Sequence, residues 1–162
     1  MRVLGIDPGS TCTGYGILDD RGGDPQMVAS GVIRPPKGPL SNRLTRIFEG
    51  LEEIISTHRP DAVAVEEVFH ARNPKSALVL GHARGVALLA AGRAGVSVHE
   101  YPARKVKQTV TGHGNADKRQ VHSILEAQLG ELPEQLDASD ALAVALCHLR
   151  WNDSPLARDA SS

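Results

Sequence analysis

VLGIDPGSTCTGYGILDDRGGDPQMVASGVI, residues 3 to 33, decides the fold. Three short runs rich in apolar and β-branched residues, Val3 to Asp7, Thr13 to Leu18 and Met27 to Ile33, are punctuated by glycine, which predicts three strands. The turn cluster DDRGGD at 19 to 24 separates the second run from the third, and Arg34 to Pro39 closes the third with three prolines and a glycine. Short connections of this kind join antiparallel neighbours, so the segment reads as a meander.

Outward from the meander the period changes. Leu40, Leu44, Ile47, Phe48, Leu51, Ile54 and Ile55 recur at three and four residues until Pro60, which predicts a helix that Ser41 can cap. Asp61 to Glu66 is a buried strand after a helix. Asn73 to Gly95 is the next helix, with Asn73 as its cap and Pro74 at its first position. In it Ala77, Gly81 and Gly85 share one face, and paired interior glycines imply that another backbone comes close, either a second subunit or the sheet beneath. Val96 to Glu100 is a strand, Pro102 to Thr111 a basic helix and Gly112 to Asn115 a loop. Asp117 to Leu129 and Asp137 to Trp151 are helices, the last lined on one face by Leu142, Ala145, Leu146 and Leu149. The expected fold is α/β, a mixed central sheet with helices on both faces. Residues 1–151 form one domain and 152–162 a polar, mobile tail.

Composition narrows the function. Of 162 residues, 41% are apolar and 23% charged, as in a globular protein, and no apolar run is long enough for a membrane span. Nothing at the N-terminus resembles a secretory signal, and the two cysteines, Cys12 and Cys147, form no framework, so a cytoplasmic location is expected. Neither a P-loop nor a GxGxxG fingerprint occurs. Charge is segregated: between His70 and His122 nine Lys or Arg stand against two acids, although the net charge is −1. Such a block fits a polyanion lying on one face, and equally fits solvated helix surfaces.

The acids point to chemistry. Asp7 follows a buried strand, where a charge must be paired or hold a metal unless it caps the Pro8-Gly9 turn. Glu66 and Glu67 end another strand and point to opposite faces, so at most one shares a site with Asp7. Asp137 and Asp140 lie on one face in the first turn of a helix, a place where acids also serve as caps. Four such carboxylates suit hard cations, Mg²⁺ or Mn²⁺. Two ions about 4 Å apart would support in-line hydrolysis of a phosphodiester.

Five collinear blocks resemble the RuvC family of Holliday junction resolvases: GIDPGSTCTGYG (5 to 16), VEEVFHARNPKSAL (65 to 78), LGHARGVALLAA (80 to 91), ARKVKQTVTGHGNADKRQV (103 to 121) and DASDALAVALCH (137 to 148). The resemblance implies a ribonuclease H-like fold and a homodimer. It also implies an endodeoxyribonuclease that makes paired, symmetric, divalent-metal-dependent cuts in four-way junction DNA, in cooperation with RuvA and RuvB. It implies that Asp7, Glu66, Asp137 and Asp140 are the metal ligands, with two ions in each site, and it leaves Glu67 a bystander. Some relatives carry histidine where this chain has Asp137. Lys107 and Lys118 match basic residues near the scissile phosphate, serving catalysis or plain phosphate contact. Phe69 matches an aromatic residue at the junction centre, Arg72 and Asn73 match polar residues facing DNA, and Arg104 belongs to the basic DNA-contacting block. His113 and Asn115 receive no role.

Two other readings compete. GIDPGST is also similar to the phosphate-loop turn of the actin, Hsp70 and sugar-kinase superfamily, but 162 residues cannot supply two domains closing on a nucleotide. A non-catalytic DNA-binding module would have no use for four converging carboxylates, which repel phosphate unless a cation neutralises them.

Overall fold

The computed structural model describes residues 1–67 and 73–152. The meander is formed by β1 (Arg2–Asp7), β2 (Thr13–Asp20) and β3 (Pro25–Ile33), followed by α1 (Leu40–His58), β4 (Ala62–Glu67), α2 (Pro74–Arg93), β5 (Ser97–Pro102), α3 (Ala103–Thr111), α4 (Lys118–Leu129) and α5 (Leu136–Asn152). The sheet order is β3-β2-β1-β4-β5. The first three strands are antiparallel, whereas β4 runs parallel to β1 and β5 parallel to β4. This is the expected mixed sheet.

Strand alternation sends successive side chains to two cores. Leu4, Ile6, Ile17, Val63 and Val65 face α1 and α2, where Ile47, Leu51, Ile55 and the alanines of α2 cover them. Val3, Leu18, Ala64 and Tyr101 face the other way, against α3, α4 and α5. Helix α5 is buried along nearly its whole length, from Ala138 to Leu149. A helix apolar on every side belongs in an interior, and the single stripe expected for it describes only part of its burial.

The strand glycines explain how α5 comes so near. An ideal Cβ on Gly5 would lie 1.9 Å from the Ala141 carbonyl oxygen, and one on Gly14 would lie 2.0 Å from the Asp137 carbonyl oxygen. The backbone of α5 therefore rests directly on the backbones of β1 and β2, which only residues without a Cβ permit.

Several expected boundaries shift for local reasons. Ser41 does not cap α1. The cap position falls on Pro39, which makes no side-chain cap bond, and Ser41 is already inside the helix with its carbonyl accepting from Thr45 Oγ1 at 2.9 Å. Asn73 does cap α2, its Oδ1 accepting from the Ser76 amide at 2.9 Å. Asp117 sits at the cap of α4 in a reciprocal capping box with Gln120. Asn152, assigned to the tail, belongs to the last turn of α5, and the rest of that tail, 153–162, lies outside the described residues.

Of the two explanations for the α2 glycines, the sheet beneath is excluded. A Cβ on Gly81 or Gly85 would meet nothing within 4 Å among the described residues, so the face opens away from the sheet. Among the described residues, no helix is long and apolar enough to cross a membrane.

Candidate active site

Residues Ile6 and Val65 are partners in the parallel register of β1 and β4, so the next residue of each strand, Asp7 and Glu66, ends beside the other. Both alternate onto the α5 face, with Gly5 and Ala64 two residues earlier. Glu67 alternates to the α1 and α2 face, away from them. Helix α5 seats its N-terminal end over Gly14, which brings Asp137 and Asp140 to the same strand ends. A cavity of about 270 Å³ results, lined by Asp7, Glu66, Asp137, Asp140, Lys107 and Lys118 among others. Three carboxylate-bearing elements and two basic helices thus meet at one place.

The electrostatics of this cluster are unfavourable without added positive charge. Burial and the nearby Asp140, Asp137 and Glu66 carboxylates push the Asp7 carboxyl up to about 7 from 3.8, and Lys118 only partly opposes them. Glu66 is raised by burial and then by Asp140, with Lys118 and Lys107 acting the other way. The Lys118 ammonium donates to Asp140 Oδ2 at 3.0 Å, and this contact holds the lysine above its ordinary range. Neither Asp137 nor Asp140 makes a side-chain capping bond to α5 among the described residues, so capping does not account for the pair.

The donor set fits a hard divalent cation. All four ligand candidates are carboxylates, and the mutual repulsion that raises Asp7 is what a cation relieves. Among the described residues, no three His, Cys, Asp or Glu side chains already converge on one point at ligating distance. The carboxylates line a common cavity, with one of them engaged by Lys118.

Other candidates fall elsewhere. Asn73 is occupied as the α2 cap and does not line the cavity. Arg104 also lies outside it, its stem packed on the loop after α3 so closely that a Cβ on Gly114 would sit 2.7 Å from Arg104 Cγ. Phe69 and Arg72 lie outside the described residues. His113 closes its own loop, its amide donating to Thr111 Oγ1 at 3.1 Å.

Sequence reasoning passed over two neighbours of the site. The Cys12 thiol lies beside Asp137, and burial first and that carboxylate second push it up to about 11. Arg43, half-buried in α1, donates from Nη1 to both the carbonyl and the hydroxyl oxygen of Ser10 at 3.2 Å. The Thr13 hydroxyl donates to the Gly9 carbonyl at 2.7 Å, so the loop that follows Asp7 is fastened at two points. A polar residue between the apolar positions of α1 was the only sign of the Arg43 contact.

The family model described as crossover junction endodeoxyribonuclease RuvC matches residues 3–148. The RuvC of Hahella chejuensis is 51% identical over 155 residues, covering 95% of this chain and 90% of that protein. Among solved structures, Thermus thermophilus RuvC in complex with a Holliday junction substrate superposes with a TM-score of 0.88 at 39% identity, covering 93% of this chain and 94% of the other. The yeast mitochondrial resolvase Ydc2 shares the fold at a TM-score of 0.69 and 13% identity, covering 92% of this chain and 78% of its own. The sheet order, the carboxylate-lined cleft and a match running from β1 into α5 all lead to one assignment: this chain belongs to the RuvC family of crossover junction endodeoxyribonucleases.

Proposed function

We propose that the chain cuts four-way junction DNA by paired symmetric hydrolysis, with Asp7, Glu66, Asp137 and Asp140 holding two ions of Mg²⁺ or Mn²⁺. The observation that carries this reading is the single cavity lined by all four carboxylates together with Lys107 and Lys118. Hard divalent cations held there supply a water of lowered pKa and neutralise charge on the phosphate. The residues of the chain fix the frame for that chemistry. Asp7 and Glu66 are set by strand register and Asp137 by the seating of α5, so none must be ordered when DNA arrives. Lys118 and Lys107 keep positive charge at the mouth, where a non-bridging phosphate oxygen gathers charge as the bond breaks. Asp140 would be one of the residues holding a cation, and the Lys118 ammonium, 3.0 Å from Asp140 Oδ2, is close enough to turn to a phosphate oxygen instead. The family resemblance adds DNA contact by Arg104, Arg72, Asn73 and Phe69, and cooperation with RuvA and RuvB, to this reading. The five described strands share one sheet, which supports a single nuclease domain over 1–151.

The test is cleavage of a labelled synthetic four-way junction beside a linear duplex of the same sequence, with Mg²⁺, Mn²⁺ or chelator. Symmetric nicks confined to the junction and dependent on metal are expected. Tight binding without cutting under either metal, on several sequences, would leave a DNA-binding module instead.

Paired cuts call for two copies of the chain, and the outward face of α2 supports that. Leu78 and Leu89, exposed by 67% and 56%, lie along one stripe with Gly81 and Gly85. A Cβ at Gly81 meets nothing within 4 Å among the described residues, so Gly81→Leu should leave folding intact. We expect light scattering to show the dimer mass of the parent chain and the monomer mass of the variant. An unchanged dimer mass would place the interface elsewhere.

A further inference from the structure

A second cavity, of about 360 Å³, lies between α4 and α5 on the outer side of the carboxylate cleft. That size is within the range of small-molecule sites, about 300–1,000 Å³. It is not separate from the cleft: Lys118, Val121 and Asp140 line both, and the Lys118–Asp140 ion pair at 3.0 Å stands as the partition between them. Its floor is apolar, formed by Val121, Leu125 and Leu136, and the last of these is 64% exposed.

Its polar groups are few and graded along its length. Lys118, Arg119 and His122 are in the first turns of α4, next to the cleft, while Glu126 is two turns further along, about 12 Å from Lys118 along the helix axis. The Ser139 hydroxyl belongs to a residue that lines the cavity although it is only 4% exposed. Its one hydrogen bond among the described residues is a long one, donated to the Pro133 carbonyl at 3.4 Å, which leaves its lone pairs free to accept. Positive charge at the cleft end, an apolar floor, and acceptors at Ser139 and Glu126 suit a nucleotide whose phosphate stays at the mouth. Its planar base would enter with N–H groups directed at those acceptors.

We propose that this groove receives one unpaired nucleobase of the junction strand, from a nucleotide adjoining the phosphate in the carboxylate cleft. The inference rests on the junction-cleaving reading of that cleft. Taking a base from the stack costs free energy, and a crossover, where continuous stacking along the duplex is interrupted, is a place where that cost is reduced. Occupancy would be felt at Lys118 and Asp140, so the groove couples the identity of a base to the geometry of cutting. Ser139, Glu126 and the floor thereby become determinants of sequence preference.

The experiment uses the full chain with chelator and a four-way junction carrying 2-aminopurine at each nucleotide flanking the cut in turn. At one position fluorescence should rise at least twofold on binding. Ser123→Phe, which fills the groove from an exposed position on its rim, should return that signal to the level of free junction while junction affinity changes less than threefold. Ser139→Ala should reduce it partly. With Mg²⁺, an abasic site at that nucleotide should lower cleavage by the parent chain about tenfold and by Ser123→Phe no further. Fluorescence unaffected by both variants on a bound junction would overturn the subsite, as would a groove that instead proves to take a protein partner. Failure of the parent chain to bind or cut junctions at all would strike the parent reading, and the affinity and cleavage arms reveal that separately.

Discussion

Asp7→Asn is expected to lower junction cleavage by about a thousandfold or more while leaving junction affinity within a few-fold of the parent chain. Asp7 sits at the meeting of β1, β4 and α5, and the amide keeps its shape while losing the charge that a cation requires. The same substitution should stabilise the metal-free fold, an opposite effect from the same cause. In the folded chain the Asp7 carboxyl is pushed up to about 7 from 3.8, first by burial and then by the neighbouring carboxylates. Between those two values the folded state binds more protons than the unfolded chain, so the contribution of Asp7 to stability falls as pH rises across that window. Above about 7 the full cost is present. The gap sets a ceiling of about 4 kcal/mol, and relaxation of an open cleft makes about 2 kcal/mol the expected gain for Asp7→Asn at pH 8 in chelator. Urea denaturation at pH 8 and pH 4.5 checks the sign: the gain should shrink at the lower pH, and Mg²⁺ should stabilise the parent chain more than the variant. Cleavage by Asp7→Asn within tenfold of the parent, or a loss of stability at pH 8, would remove Asp7 from the metal site.

Gly5→Ala is expected to cost about 4 kcal/mol or more, a large part of the 5–15 kcal/mol that holds a domain of this size together. The added methyl would lie 1.9 Å from the Ala141 carbonyl oxygen and 3.0 Å from Ala145 Cβ. Since the first obstacle is helix backbone, no side-chain rotation relieves it, and α5 must lift from the sheet. Lifting α5 also moves Asp137 and Asp140 away from Asp7 and Glu66, and a misplacement of about 1 Å can cost on the order of a hundredfold in rate. Any folded fraction should therefore cut junctions poorly even at saturating Mg²⁺. Gly92→Ala is the control, because a Cβ there meets nothing within 4 Å among the described residues and an alanine in a helix gains up to about 1 kcal/mol over glycine. Denaturation curves for the two variants should move in opposite directions. Equal stability of Gly5→Ala and the parent would show that α5 does not bear on β1 as described.

The alternation of apolar residues, the turn cluster at 19 to 24 and the helical stripe of α1 were legible because each is local. A strand of period two and a helix of period 3.6 are set by backbone geometry within a few residues, and burial then selects the apolar face. Opposite faces for Glu66 and Glu67 followed from alternation alone, and the choice of the four acids as candidate ligands rested on residue type and family resemblance. The glycines of β1 and β2 were harder to interpret. They look like punctuation in the sequence, and their purpose appears only when α5, more than a hundred residues later, lies across them. Likewise, no local rule announces that Lys118 reaches Asp140, that Arg43 fastens Ser10, or that α4 and α5 leave a groove beside the cleft. The sequence by itself determined which elements form and which residues carry the charge, since propensity and periodicity act over one or two turns. The convergence of those charges was decided by the tertiary structure alone, because it depends on strand register and on one helix seated on two glycines, contacts made between residues far apart in the chain.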